Sequence, residues 1–354
     1  MNGRSPALSY AVVVPTLGRP SLGRCLAALA ASPGPKPTRI VIVHDRPGGG
    51  AIPGLRIPEA LRSLTAVVPG GGRGPAAARN TGAVAAGPVP WIVFLDDDVV
   101  PSATWGEDLE RDLSTASSDT AAVSARIDVP LPADRRATDW ERNTAGLATA
   151  RWITADMAFR REALEASGGF DERFRRAFRE DADLALRLLD GGWVLAAGTR
   201  RTTHPVRPAD RWVSLRQQAG NADDILMRRL HGPDWWSRAD APRGRIRRHL
   251  AVTAAGVGAL GCAALGRPGA AAVCAAGWLA GTAEFAFARI APGPRTPEEI
   301  TAMLLTSAVI PAAATWHRLR GMVVHRSARP RERARPPVLR PTAPDEPLRE
   351  GVRS

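Results

Sequence analysis

Residues 91–101, WIVFLDDDVVP, run five strand-forming apolar side chains directly into three adjacent carboxylates, Asp96, Asp97 and Asp98. Apolar character then resumes at Val99 and Val100. Three neighbouring anions repel one another, and at the end of a buried strand they persist most easily when a cation or hydrogen-bond donors neutralise them. A divalent metal is the natural counter-charge. The alternative is a solvated acidic turn, which the apolar flanks disfavour.

The chain before this stretch sets its context. Residues 11–14 read as a buried strand, ended by the loop Pro15-Thr16-Leu17-Gly18-Arg19-Pro20. Ser21 can begin a helix whose apolar face is Leu22, Cys25, Leu26 and Leu29, at helical spacing. Strands are expected at 40–43, ending in His44-Asp45-Arg46, and at 64–68. In GGGRGPAAARNTGAVAAG, Pro75 suits a first helical turn, 76–86 propagates the helix, and Gly87-Pro88 stops it. This order implies an α/β domain whose central, mostly parallel sheet is covered on both faces. Thr16, Asp45 and the three aspartates then share the carboxyl edge of the sheet, where open α/β sheets bind ligands. The glycine run at 70–74 matches neither GxxxxGK[ST] nor a GxGxxG that opens a helix after the first strand, so those phosphate-loop readings fail and a plain glycine-rich connection is a substantial alternative.

Further strands or extended segments are expected at 121–129 and 152–160, with a polar, substrate-facing excursion between them. Helices are expected at 161–167 and 180–189, the second starting at Glu180-Asp181. On its own Asp181 is a favourable first-turn acid.

Composition narrows the alternatives. With 354 residues, 44% of them hydrophobic, the chain can build a large core. The formal charge of +13 is concentrated in flanks: from Arg318 onward there are ten Arg against four acids. No recognition motif accompanies that charge, so a nucleic-acid partner is not expected. Lys36 is the single lysine, which disfavours lysine-based catalysis. Cys25, Cys262 and Cys274 form no close pair and suggest neither a disulfide framework nor a zinc site. The first apolar run is short and ends at Pro15, so a secretory signal is not expected and the main domain should begin in the cytoplasm.

Beyond Val206 the character changes. Arg243, Arg245, Arg247 and Arg248 precede the uncharged run 250–265; residues 269–287 are apolar except Glu284, and 300–316 are uncharged. Membrane association is expected, with a helical hairpin turning around Arg267-Pro268 and a third, Pro311-containing segment that is re-entrant or interfacial. The expected organisation is an extension (1–8), a catalytic domain (9–240), a membrane-associated helical region (241–317) and a basic, disordered tail (318–354).

Five blocks in order, VVVPTLGRP, ARNTGAVAAG, FLDDDVVP, AFRREALEASGGFDERF and EDADLALRL, resemble the family 2 glycosyltransferases, across roughly residues 9–207. The resemblance implies the GT-A type, nucleotide-diphospho-sugar transferase fold. It implies Asp98, and His204 by its position, as ligands of Mg2+ or Mn2+, with Asp96 and Asp97 on the nucleotide. Pro15, Thr16 and Arg19 of the first loop, Asp45 as base reader and Arg79 complete the donor side. Asp181 is the implied general base of an inverting transfer from a nucleotide diphosphate sugar. The QxxRW signature of processive synthases is absent, so single-sugar transfer is expected, to a lipid-linked or cell-envelope glycan acceptor, from the cytoplasmic side of the cell membrane. A sugar nucleotidyltransferase and a non-catalytic membrane protein with a degenerate donor domain are the rival readings.

Overall fold

The computed structural model describes residues 8–331. Its elements run β1 (Tyr10–Thr16), α1 (Ser21–Ala31), β2 (Arg39–His44), the single turn α2 (Glu59–Arg62), β3 (Thr65–Pro69), α3 (Pro75–Ala85), β4 (Trp91–Leu95), β5 (Val100–Pro101) and α4 (Trp105–Ser114). They continue with β6 (Thr120–Asp128), α5 (Asp139–Ala145), β7 (Asp156–Arg160), α6 (Arg161–Ala166), α7 (Glu180–Asp190) and β8 (Val194–Thr203). The short α8 (Val213–Arg216), α9 (Gly220–His231) and α10 (Trp235–Arg238) lead to three long helices, α11 (Ile246–Ala264), α12 (Pro268–Ile290) and α13 (Pro297–Val324).

One eight-stranded sheet, ordered β3-β2-β1-β4-β7-β6-β8-β5, carries the domain. The pairs β3/β2, β2/β1, β1/β4 and β6/β8 are parallel; β4/β7, β7/β6 and β5/β8 are antiparallel. The direction therefore reverses beside the aspartate-bearing strand. Both faces of the sheet are covered, which is why β1, β2 and β4 read as unbroken apolar runs rather than alternating ones. Successive residues feed opposite cores. Val12 and Val14 pack with Leu22, Leu26, Trp105 and Leu109 on the α1/α4 side, and Ala11 and Val13 with Ala76, Phe94, Phe170 and Leu184 on the α3/α7 side. Helix α3 sits so close that a Cβ on Gly82 would lie 2.2 Å from Val13 Cγ1.

Helix α4 falls in a segment to which the sequence reading assigned no element, and the region expected to be extended from 152 becomes a strand only at Asp156. A fully buried ion network ties these parts together. Arg200 of β8 donates from Nε to Asp156 Oδ1 at 2.9 Å and from Nη1 to Asp112 Oδ2 of α4 at 3.2 Å. Trp105 Nε1 and the Thr202 hydroxyl both donate to Asp156 Oδ2, at 2.7 and 2.5 Å. Every charge in this network is paired, the condition under which buried ions are tolerated. The network fixes the end of β8 against β7.

Helix α13 continues through Arg318 to Val324, so the expected boundary at 318 falls inside a helix. The rest of the expected tail, from 332, and the extension up to residue 7 lie outside the described residues. Among the described residues, α12 and α13 are long and apolar enough to cross a membrane by length and composition.

Candidate functional site

A cleft of about 680 Å³ opens at the carboxyl ends of β1, β2 and β4. Pro15, Thr16, Arg19, Asp45, Arg79, Asp96, Asp97, Asp98 and His204 all line it, so the donor-side and metal-side candidates converge in one place. Asp181 stands apart from this lining, in the first turn of α7.

The three aspartates do different things. Asp97 is 2% exposed and accepts the Thr16 hydroxyl at 2.5 Å and Arg19 Nη1 at 2.8 Å. Thr16 Oγ1 in turn accepts the Gly18 amide at 2.9 Å, and Gly18 adopts φ +76, a conformation glycine takes without strain. Asp97 thus moulds the first loop. Asp96 Oδ1 accepts Arg79 Nη2 at 2.9 Å, while Asp98 Oδ2 faces Arg207 Nε at 2.9 Å and Asp98 Oδ1 lies 3.7 Å from His204 Nε2.

One ligand atom from each of Asp96, Asp98 and His204 lies within 4.8 Å of the others. Two carboxylates and an imidazole converging in this way fit a divalent cation: the oxygens satisfy a hard ion, and the imidazole nitrogen suits a transition metal such as Mn2+. Asp96, expected on the nucleotide, also stands in this candidate cation cluster.

Asp45, expected to read a base, has both carboxylate oxygens engaged by the glycine-rich loop. Oδ1 accepts the Arg73 amide at 3.0 Å and Oδ2 the Gly74 amide at 2.8 Å. A Cβ on Gly70 would meet Asp45 Oδ1 at 2.8 Å, and one on Gly74 would meet the Arg175 carbonyl oxygen at 2.6 Å. The loop is therefore a built wall of the cleft, shaped by close approach.

Arg79 connects the two halves of the site. It is 2% exposed and donates from Nη1 to Glu180 Oε1 at 2.8 Å while holding Asp96 through Nη2. Asp181 follows Glu180 and accepts the Ala182 amide at 2.7 Å. Burial pushes the Glu180 carboxyl above the usual range, helped by the adjacent Asp181; burial likewise raises Asp181. The turn before this pair is strained: Arg179 has φ +77, held there by Asp224 Oδ1 at 2.9 Å from its Nε and by stacking over Phe178 and Trp235.

Arg46, Arg73, Arg175 and Arg207 also line the cleft, and none of them was a site candidate from the sequence. Their cationic rim suits a polyanionic ligand such as a diphosphate. The signal available was the wealth of arginine itself.

The mixed sheet carries the aspartate–histidine cluster at the carboxyl edge of its strands. The family model described as glycosyl transferase family 2 matches residues 11–142, and the chain carries a family 2 glycosyltransferase domain. Over 133 residues it is 32% identical to the pre-mycofactocin glycosyltransferase of Mycobacterium tuberculosis, in strains CDC 1551 / Oshkosh and ATCC 25618 / H37Rv. That match takes in 34% of this chain and 27% of each relative, so the chain spans about a quarter of their length. A mannosyltransferase from Pyrobaculum calidifontis, solved with GDP-Man and Mn2+, has a similar fold: TM-score 0.53 at 20% identity, covering 89% of this chain and 88% of that one. The α/β fold is of the GT-A type.

Proposed function

We propose that the protein is a metal-dependent, inverting glycosyltransferase that moves one sugar from a nucleotide diphosphate sugar to a hydroxyl of a lipid-linked or cell-envelope glycan. The observation that carries this reading is the Asp96–Asp98–His204 cluster inside the arginine-lined cleft, coupled through Arg79 and Glu180 to Asp181. The Mn2+ and GDP-Man in the Pyrobaculum structure support the same class of donor and ion.

Asp96, Asp98 and His204 would hold Mg2+ or Mn2+, which supplies Lewis-acid neutralisation of the charge left on the departing diphosphate. The arginines orient the donor phosphates in the cleft. Asp181 accepts the proton of the acceptor hydroxyl as its oxygen bonds to the anomeric carbon and the bond from that carbon to the phosphate oxygen breaks. The nucleoside diphosphate leaves with that electron pair, and configuration inverts. A raised carboxyl pKa suits this role, because a base works best when its pKa lies near the operating pH.

Membrane association at the cytoplasmic face is part of the proposal. Helix α12 has only 6% of its most apolar stretch buried. A short relay joins the helical region to the cleft: Arg207, which faces Asp98, accepts Trp140 Nε1 of α5 on its carbonyl at 2.7 Å, and the neighbouring Asp139 pairs with Arg289 of α12 at 2.7 Å. This geometry favours an acceptor presented at a membrane. The test is a screen of nucleotide sugars with Mn2+ for protection against thermal unfolding, followed by an assay of nucleoside diphosphate release with lipid-linked acceptors. Donor-class protection with acceptor-dependent release supports the reading; protection without release for any acceptor rejects the enzymatic part.

A further inference from the structure

Helix α13 passes the length and composition test for a membrane span, but its packing contradicts a crossing. Near its start, Glu299 Oε1 accepts the Asp139 amide of the catalytic domain at 2.7 Å. Near its end, the Met322 carbonyl accepts Arg229 Nη2 of α9 at 3.2 Å, and Gly321 is so close to α9 that a Cβ on it would meet Ala222 Cα at 2.7 Å. Glu299 and Met322 are 23 positions apart, about 35 Å of helix at 1.5 Å per residue. Both ends of a rod longer than the hydrocarbon core, about 30 Å, are thus held on one domain. A crossing would carry one end to the far side of the bilayer, away from that domain.

The two faces of α13 are both apolar. Met303, Ile310 and Ala314 are buried, whereas Leu305, Val309, Trp316, Leu319 and Val323 are between 45% and 64% exposed. The exposed five recur at steps of 4, 7, 3 and 4, a single stripe on the side opposite the buried face.

The hairpin beside it has the dimensions of a bilayer. Arg245 and Arg248 both bind Glu284, which closes its base, and Arg267 marks its tip. The hairpin is helical from Arg248 to Ala264 and from Pro268 to Glu284, 16 positions or about 24 Å on each side, and the turn at 265–267 extends it towards the hydrocarbon core of about 30 Å. Between those charges Val257, Leu260, Val273 and Leu279 are 59–76% exposed. Helix α13 is bonded to the lower part of the hairpin, where Thr315 Oγ1 donates to Thr253 Oγ1 at 3.0 Å and Arg289 Nη1 donates to Thr306 Oγ1 at 2.8 Å, and its Ala308, Pro311 and Ala312 share a cavity of about 360 Å³ with Leu260 and Ala275 higher up. The exposed Arg243 and Arg247 lie at the hairpin's base and complement an anionic lipid surface.

We propose that α13 lies flat in the headgroup–acyl boundary of an anionic membrane, its Leu305–Val309–Trp316–Leu319–Val323 stripe facing the lipid, while α11 and α12 alone cross. The helix then fixes the height and tilt of the catalytic domain over the membrane. The inference rests on the membrane association proposed above, and the experiment separates the two.

The full chain, carrying Cys262→Ala and Cys274→Ala with the fully buried Cys25 retained, is reconstituted in phosphatidylcholine–phosphatidylglycerol vesicles. Nitroxide labels are placed singly at Val309, Trp316, Leu319 and Val323, and at Val257, Leu260 and Val273 of the hairpin as controls. Depth is read from relative accessibility to oxygen and to a water-soluble nickel complex. The expected result is one shared shallow depth for the four α13 sites, roughly 5–10 Å into the boundary, with deeper hairpin sites. Depth that runs through the bilayer centre along α13 overturns the inference in favour of a span. Water exposure of α13 with a lipid-buried hairpin overturns it while leaving membrane association standing, as does spin–spin broadening relieved by dilution with unlabelled chain, which marks a second copy on the stripe. Water exposure at every site overturns both.

Discussion

Replacing Arg79 by methionine keeps most of the side-chain volume and removes the one guanidinium that pairs with both Asp96 and Glu180. Glu180 is 2% exposed and its Oε2 already has no hydrogen-bond partner, so the substitution leaves an uncompensated buried carboxylate. Breaking a buried pair from one side costs about 3–5 kcal/mol. Protonation offers an escape, which gives the effect a pH dependence of definite sign. A carboxyl whose folded pKa exceeds its unfolded value binds more protons in the native state, so its contribution to stability falls as pH rises from the ordinary carboxylate range to the raised value. Glu180 is already raised by burial, and loss of Arg79 raises it further. Glu180 already stands at about 8 beside Arg79, so wild type and variant both hold its proton at lower pH, and the destabilisation of Arg79→Met should stay near about 1.5–3 kcal/mol, the worth of hydrogen bonds to charged groups, from pH 5 to 7. It should climb towards the full figure only as the pH rises above that value. Urea denaturation of the full chain in a nonionic detergent measures this, with Glu180→Gln and the double variant completing a cycle. The double variant should recover about 1 kcal/mol above pH 8, since directly paired residues couple by roughly 0.5–3 kcal/mol. Strictly additive single-variant effects, or a penalty that is larger at pH 5 than at pH 8, would refute the reasoning.

Other outcomes follow from the same geometry. Asp181→Asn should retain donor binding but lower transfer about 10²–10⁴-fold and abolish the acidic limb of the wild-type rate profile; that limb reflects the raised carboxyl losing its proton. Gly74→Ala, at φ +98 and 2.6 Å from a backbone oxygen, should lower stability by about 1–3 kcal/mol and weaken donor binding, read by thermal midpoint with and without nucleotide. Arg207→Gln removes a cation from Asp98 and should tighten Mn2+ binding severalfold in titrations followed by Mn2+ magnetic resonance; weaker binding would instead make Arg207 a support of the site.

Much of this arrangement could be read from the chain because strands and their ends are local properties. The apolar runs at 11–14, 40–43 and 91–95 become β1, β2 and β4, and a parallel sheet necessarily gathers their carboxyl ends. The helix Trp105–Ser114 went unread although a signal was there: Trp105, Leu109 and Leu113 recur at four-residue spacing, but acidic residues between them mask the stripe. Asp96, Asp97 and Asp98 lie in the turn that follows β4, where strand alternation no longer applies, so their different partners could not be told apart from the sequence. Partnerships across long separations were not legible. Arg79 meets Glu180 from 101 residues away, and Asp45 meets the glycine loop 28 residues on, both decided by tertiary packing. The buried Arg200–Asp156–Asp112 network has no local pattern at all.

The central claim is that Asp98, with Asp96 and His204, holds a divalent cation on which donor binding depends. Isothermal titration of a nucleoside diphosphate into the full chain, with Mn2+ and with chelator, tests it most directly when repeated on Asp98→Ala. The account predicts Mn2+-dependent binding in the wild type and its loss in the variant, whose thermal midpoint without ligand stays close to that of the wild type. Equal binding by both proteins, or wild-type binding indifferent to Mn2+, would contradict it.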